Sequence, residues 1–178
     1  MCRRVTGPVV WPASAGERAA VLAVVRRGYA EFEPFFAPVA WARMGAALAA
    51  VVADGAVGEL LVAQVDDQIV GTVTYLPPGP RNYDRVPADW AVIRVLAVDP
   101  SWRGAGIARL LVEECLRRAA ADGVPAVGLH TAAVMHAARS LYESVGFTLR
   151  REFEHLDSVF CVYGLDLPAD TLSPVTAQ

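Results

Sequence analysis

The sequence predicts an α/β fold: a single domain with a mixed β-sheet flanked by helices on both faces. Three observations carry this. Residues 91–121 read AVIRVLAVDPSWRGAGIARLLVEECLRRAAA, an apolar β-branched run, a small-residue turn and an amphipathic helix in direct succession. A further apolar run at residues 124–131 completes a strand–helix–strand crossover, which pairs its strands in parallel. Two more pairs of strand-like runs, 59–65 with 69–76 and 147–155 with 159–167, lie close enough in sequence for antiparallel hairpins. At 178 residues and 54% hydrophobic, the chain suffices for one well-buried core but not for two comfortable domains. The domain is expected over residues 1–167, with a frayed, small and polar tail at 168–178.

From the N-terminus, Val9-Val10-Trp11 reads as a short edge strand. Ser14 followed by Glu17 makes a capping-box pattern for a helix that presents Ala20, Val21, Val24 and Val25 on one face. The segment from Tyr29 to Phe36 is aromatic and broken by Pro34. An alanine-rich helix at residues 39–53 carries Trp41, Met44, Leu48 and Val51 at helical spacing, closed by Asp54-Gly55. Tyr29, Phe32, Phe35, Phe36 and Trp41 either seal the core or line a pocket. The first hairpin turns at Asp66-Asp67-Gln68. Residues 77–89 (PPGPRNYDRVPAD) form a polar, proline-rich loop, in which Arg81, Tyr83, Asp84 and Arg85 are either solvated or within reach of a ligand.

Residues 92–98 then read as a strand, stopped by Asp99-Pro100. In the helix after the turn, Ile107, Leu110, Leu111, Val112, Cys115, Leu116 and Ala119 share an apolar face, and Glu113/Arg117 and Glu114/Arg118 are spaced to pair at i, i+4. Asp122-Gly123 ends it. A second helix at residues 134–145 puts Met135, Ala138, Leu141, Tyr142 and Val145 on one stripe, with Gly146 as its C-terminal cap. There is no internal repeat and no interdomain linker.

Composition excludes several classes. A formal charge of −3 argues against a general nucleic-acid binder and is compatible with a cationic amine as ligand. Cys2, Cys115 and Cys161 show neither C-x-x-C nor metal-ligand spacing, so no metal is expected. They read as reduced thiols of a cytoplasmic protein. Met1-Cys2-Arg3-Arg4 has the charge of a leader, but Pro8 and Pro12 break the chain before any adequate apolar stretch. No run approaches the length of a membrane span.

The turn Arg103-Gly104-Ala105-Gly106-Ile107-Ala108 is either a plain tight turn or a cradle for an anion, and its chemistry suits the second. The first N–H groups of a helix lack internal partners and lie at its electropositive end. Small or absent side chains let a phosphate reach the main chain, and Arg103 adds positive charge. Neither G-x-G-x-x-G nor G-x-x-x-x-G-K-[ST] is present, so a dinucleotide fold and a P-loop are not indicated.

Arg103-x-x-Gly106-x-Ala108 resembles the R/Q-x-x-G-x-G/A signature of the GNAT superfamily of acyl-CoA-dependent N-acyltransferases. Leu96-Ala97-Val98-Asp99-Pro100 and Leu141-Tyr142-Glu143-Ser144-Val145-Gly146-Phe147 resemble its next most typical stretches, in order and spacing. The resemblance runs from about residue 59 to 167 and is loose before that. It implies a centrally splayed sheet, acetyl-CoA as co-substrate, and transfer of an acetyl group to a primary amine by direct attack in a ternary complex. Pantetheine would run along Leu96, Ala97 and Val98, contacting the main chain of Leu96 and Val98. The pyrophosphate would lie on Arg103, Gly104, Ala105, Gly106, Ile107 and Ala108. An ordinary buried strand remains the alternative for residues 96–98, since the proposed contacts involve no side chain.

Tyr142 occupies the position where many relatives carry the phenol that protonates the leaving thiolate. Many relatives also place a glutamate base in the central strand, where this chain offers Val92 and Arg94. Many have asparagine seven residues before the tyrosine, where this chain has Met135. The base is therefore unassigned. His130 is the first candidate, because its ordinary pKa suits the task, with Asp89 and Glu33 behind it. A water chain or an amine of low pKa would need no protein base. The rivals are a non-catalytic acyl-CoA-binding or sensing module, and an enzyme using a longer acyl donor or an alcohol acceptor. The acceptor is an amine, on a small molecule or a protein; no nucleic acid or membrane partner is expected, and a homodimer is among the assemblies this reading admits.

Overall fold

The computed structural model describes residues 7–53, 58–80 and 83–168. Strand β1 (Val9–Pro12) precedes helices α1 (Arg18–Tyr29) and α2 (Pro38–Ala53). Strands β2 (Glu59–Val65), β3 (Gln68–Leu76) and β4 (Ala91–Val98) follow, then α3 (Ile107–Ala121) and β5 (Ala126–Ala132). Helix α4 (His136–Val145) and the hairpin β6 (Thr148–His155) and β7 (Ser158–Asp166) complete the fold. The strands form one mixed sheet in the order β1-β2-β3-β4-β5-β7-β6, and β4 with β5 is its parallel pair. Met1 to Arg4, Asp54-Gly55, Arg81 and the tail at 169–178 lie outside the described residues.

Period-2 alternation in the central strands sorts side chains to two opposite cores. Leu61, Ala63, Val65, Val73 and Tyr75 pack with Ile107, Leu111, Val112, Cys115 and Ala119 of α3. Leu60, Val62, Val95 and Ala97 pack with Val21, Val24 and Val25 of α1 and with Val52 of α2. Burying each such Leu, Ile or Val contributes about 1.5–3 kcal/mol, so both helical layers are held mainly by these stripes. Gly71 on β3 lets α3 approach closely, because a Cβ there would stand 2.8 Å from Ile107 Cγ2.

Local differences from the sequence reading have physical causes. The Glu17 carboxylate accepts from the Ser14 N–H and hydroxyl, both at 2.7 Å, but the first turn, Ala15–Glu17, is 3-10 before α1 begins. The first hairpin turns on two residues, Asp66 and Asp67, both at positive φ, so β3 starts one residue early at Gln68. Strand β5 starts at Ala126 rather than at residue 124; Pro125 offers no N–H to a ladder, though its carbonyl accepts from Leu167. The pairing of Glu113 with Arg117 does not form. Glu114 takes both Arg117 and Arg118, Glu113 faces Arg109 instead, and Arg118 also reaches Glu59.

The sheet opens in its middle. Strands β4 and β5 pair only at Ala91 with Val127 and at Val92 with Gly128. On the other edge of β4, Arg94 pairs with Thr74 and Ala97 with Thr72, so β4 carries one extra residue. Val95 sits in this bulge with φ of 52°. A β-branched residue at positive φ is a genuine outlier, held here because its side chain is buried against α1. Strain of this kind concentrates where a strand is re-aimed beside a site. Beyond Val92 the β5-facing edge of β4 is left without a sheet partner.

Candidate active site

The opening between β4 and β5 is the floor of a cavity of about 800 Å³. Leu96, Ala97 and Val98 line it from β4; Arg103, Gly104, Gly106, Ile107 and Ala108 line it from the turn and the start of α3. His130 lines it from β5 and Tyr142 from α4. Of Tyr142, His130 and the residues expected to hold CoA, the structure brings all to one cavity except Ala105, which is exposed in the turn and does not line it. Neither Asp89 nor Glu33 lines it, and both are exposed.

The turn before α3 has the expected backbone. Gly104 and Gly106 sit at φ of 79° and 78°, and the first helical bond runs from the Leu110 N–H to the Gly106 carbonyl. The N–H groups ahead of Leu110 therefore head the helix without a helical acceptor. Arg103 is engaged differently from expectation. Its guanidinium donates to the Gly28 carbonyl at 3.0 Å and pairs with Glu31 at 2.7 Å, so its charge is already partly compensated. Asp99 accepts from the Ser101 N–H at 3.0 Å and from Arg27 at 2.7 Å. The backbone bond to Ser101, and then Arg27, hold its carboxyl below the usual range. These contacts clasp α1 to the turn and fix one wall of the cavity.

Tyr142 is 5% exposed, with its ring against Phe147 and Tyr163. Its hydroxyl makes no hydrogen bond to any described residue. Burial, with Tyr29 and Cys115 nearby, pushes its pKa well above that of an ordinary phenol, so it carries its proton at neutral pH. Its residue lies on the cavity wall with the phenol in the protonated form.

His130 is held tightly. Its Nδ1 lies 2.6 Å from the Tyr83 hydroxyl, the Tyr83 ring stacks on it, and Phe153 and Phe160 flank it. Burial first, then Arg94, Arg85 and His155, lower its pKa to about 4. The imidazole is therefore neutral at neutral pH. His155, also on the cavity wall, is lowered by burial and by Arg85.

The aromatic cluster divides between its two readings. Tyr29, Phe32 and Phe35 line the cavity, whereas Phe36 stacks on Trp41 and packs on Phe160 in the core. Tyr29 is pushed up to about 12 by burial, against the opposing field of Arg94. Arg94 itself lines the cavity. In the sequence it stands only as a non-acid in the base position; a lone charge within an apolar strand is the signal for it. Cys115 and Cys161 are free and buried. Among the described residues there is no cluster of three or more metal-ligating side chains, and no helix is long and apolar enough to cross a membrane.

A mixed sheet opened beside a glycine-led helix is the architecture of an acyl-CoA-dependent acetyltransferase. The chain belongs to the acetyltransferase (GNAT) family, whose profile matches residues 26–147. Acetyl-CoA is the acyl donor of that family. A mycothiol acetyltransferase from Brachybacterium faecium is 39% identical over 89 residues, which cover 50% of this chain and 26% of that protein. This chain thus matches only about a quarter of that relative's length. The ribosomal-protein-S18-alanine N-acetyltransferase of Escherichia coli shares the fold with a TM-score of 0.67 at 18% identity, over 93% of this chain and 98% of that one. An acetyltransferase from Bacillus anthracis, solved in complex with acetyl coenzyme A, aligns with a TM-score of 0.54 at 20% identity, over 64% of this chain and 66% of that one.

Proposed function

We propose that the protein transfers an acetyl group from acetyl-CoA to a primary amine by direct attack in a ternary complex. One observation carries the reading: the open edge of β4, the N-terminus of α3 and Tyr142 converge on a single cavity. In this reading the main chain of Leu96 and Val98 takes the pantetheine amides, and a main-chain N–H in that stretch faces the thioester oxygen. The pyrophosphate lies on Arg103 to Ala108. Acyl transfer then needs an unprotonated amine, donors for the tetrahedral oxyanion and a proton for the leaving thiolate. Holding the two substrates side by side supplies much of the remaining acceleration.

Tyr142 gives its proton to the CoA thiolate as the carbon–sulfur bond breaks. His130 is the histidine taken as the base; its Nδ1 is engaged by Tyr83, and its Nε2 makes no hydrogen bond to any described residue. With a pKa near 4 it is a weak base, which fits an amine that enters largely deprotonated. The acceptor amine belongs to a small molecule or a protein, and the buried free thiols fit the cytoplasm. The test is acetyl-CoA turnover across a panel of amino acids, peptides, polyamines and aminoglycosides, read by release of free thiol. Turnover with a defined acceptor supports the reading. Tight acetyl-CoA binding without turnover on the whole panel overturns it in favour of a binding module.

A further inference from the structure

Among the described residues, Arg94 is the one fully charged side chain on the cavity wall with no counter-ion. Among the described residues it forms no ion pair and no hydrogen bond; its neighbour is the Tyr83 ring, with the guanidinium carbon 5.2 Å from the centroid. The side chain is half-buried, on the strand that forms the floor, immediately before the bulge at Val95. The single carboxylate on the cavity wall is Glu31, and Arg103 already holds it. Among the described residues, no further carboxylate lines the cavity to answer Arg94. The groups that do face this end are neutral or cationic: the Tyr29 and Tyr83 phenols, His130, His155 and, behind them, Arg85, which stacks on Phe153.

A guanidinium withdrawn from water without an acceptor is costly, and leaving its donors unpaired makes the site complementary to an anion. Its fork matches a carboxylate in two parallel hydrogen bonds. One fork compensates one negative charge, so a carboxylate monoanion fits better than a phosphate dianion. The location separates this group from the pyrophosphate cradle, which lies at the other side of the bulge, on residues 103–108.

We infer that Arg94 binds a carboxylate carried by the acceptor, so that the substrate class is an amine bearing a nearby carboxylate, such as an amino acid or a short peptide. The inference rests on the acetyltransferase reading for the amine and adds the acid. It also gives the missing acidic base a reason. A fixed cation beside the acceptor disfavours the ammonium form of its amine, and a glutamate in that strand would compete with the substrate for Arg94.

The test pairs each of the common L-amino acids and a set of dipeptides with its C-terminal amide. Thiol release from acetyl-CoA and calorimetric binding to the acetyl-CoA-loaded protein are measured for wild type, Arg94→Met and Arg94→Lys. The expected result is a preference of about ten- to a hundredfold for the best acid over its amide, seen chiefly in the acceptor's KM. Arg94→Met should erase the preference without moving acetyl-CoA affinity, and Arg94→Lys should restore part of it. A wild type that treats acids and amides alike, or prefers amides, overturns the inference while leaving acetyl transfer intact. Acids that bind through Arg94 but are never acetylated overturn the transfer reading and keep the anion site. Malonyl-CoA and succinyl-CoA form the last arm. An Arg94-dependent preference for these donors over acetyl-CoA, with no acid preference among acceptors, would place the carboxylate on the acyl group and overturn the assignment to the acceptor.

Discussion

Two titratable rings in the cavity, Tyr142 and His130, have been moved in opposite directions by the same cause, loss of water. For Tyr142, burial favours the neutral phenol, which is the proton-loaded form. Tyr142→Phe keeps the ring against Phe147 and Tyr163 and removes only the hydroxyl. We expect kcat to fall by about 10²–10⁴-fold, with acetyl-CoA affinity nearly unchanged, because the proton is needed only as negative charge develops on sulfur. A variant that retains most of its kcat but loses several degrees of melting temperature would make Tyr142 a packing residue. For His130, burial favours the neutral imidazole, and the neutral imidazole is the deprotonated form. Between pH 6.5 and about 4 the unfolded chain binds a proton there that the native chain refuses. Stability therefore rises with pH across this window, and His130 contributes a loss of roughly 3 kcal/mol as pH falls through it. His130→Gln should flatten the dependence of melting temperature on pH between 6.5 and 4, with His155 leaving a smaller residue of it. An unchanged slope would show that His130 titrates normally.

At the scale of elements, the turn into α3 has to satisfy a backbone requirement and a ligand requirement at once. Gly106 at positive φ begins the helix, and any Cβ there is strained by about 1–2 kcal/mol even though the space around it is open. Gly106→Glu adds bulk and a negative charge where the pyrophosphate is proposed to lie. Acetyl-CoA affinity should weaken by a factor of about a hundred or more, as for a like charge set against a charge-assisted site. Calorimetry on a variant with wild-type circular dichroism measures it, and unchanged affinity would falsify the placement. This unit was the most legible part of the chain, because residues 91–121 use local rules: β-branching for β4, proline for the stop, small residues for the turn and 3.6 periodicity for α3. The C-terminal ends of α3 and α4 and the strand–hairpin order were legible for the same reason, whereas α4 begins at His136, two residues later than the expected 134. What sequence could not disclose was tertiary. The extra residue at Val95 is set by packing on α1, not by any local preference of valine. The claim of Glu31 on Arg103 joins residues far apart in the chain, and the claims of Arg94 and Tyr83 on His130 do the same. The aromatic segment at 29–41 was ambiguous because core and pocket aromatics share one composition; the fold sends Tyr29, Phe32 and Phe35 to the cavity and Phe36 to the core.

The molecule as a whole is two half-sheets joined by very little backbone. Strands β1 to β4 form one half and β5, β7 and β6 the other, and two residue pairs at the start of β4 and β5 connect them. Side chains of α3 and α4 span the seam on one face. On the other face, Phe36 and Met44, from α2 and the segment before it, reach Ala132 and Phe160. A strand-like pantetheine in the gap would therefore supply hydrogen bonds that the sheet itself lacks, and should couple the halves. At about a hundred times its Kd, acetyl-CoA should add roughly 2.7 kcal/mol and raise the melting temperature by about 5–10 °C for a chain of this size. Any tight ligand would do that, so the location of the protection is the sharper measurement. Hydrogen exchange on acetyl-CoA binding should slow in residues 93–98 and 129–132, on both lips of the gap, as well as in 103–109. The distal ends of β1 and β6, which contribute nothing to the gap, should exchange as before. Protection confined to residues 103–109 would mean that only the phosphate end is held. In that case the opening of the sheet would serve the acceptor, and the pantetheine would have to lie outside it.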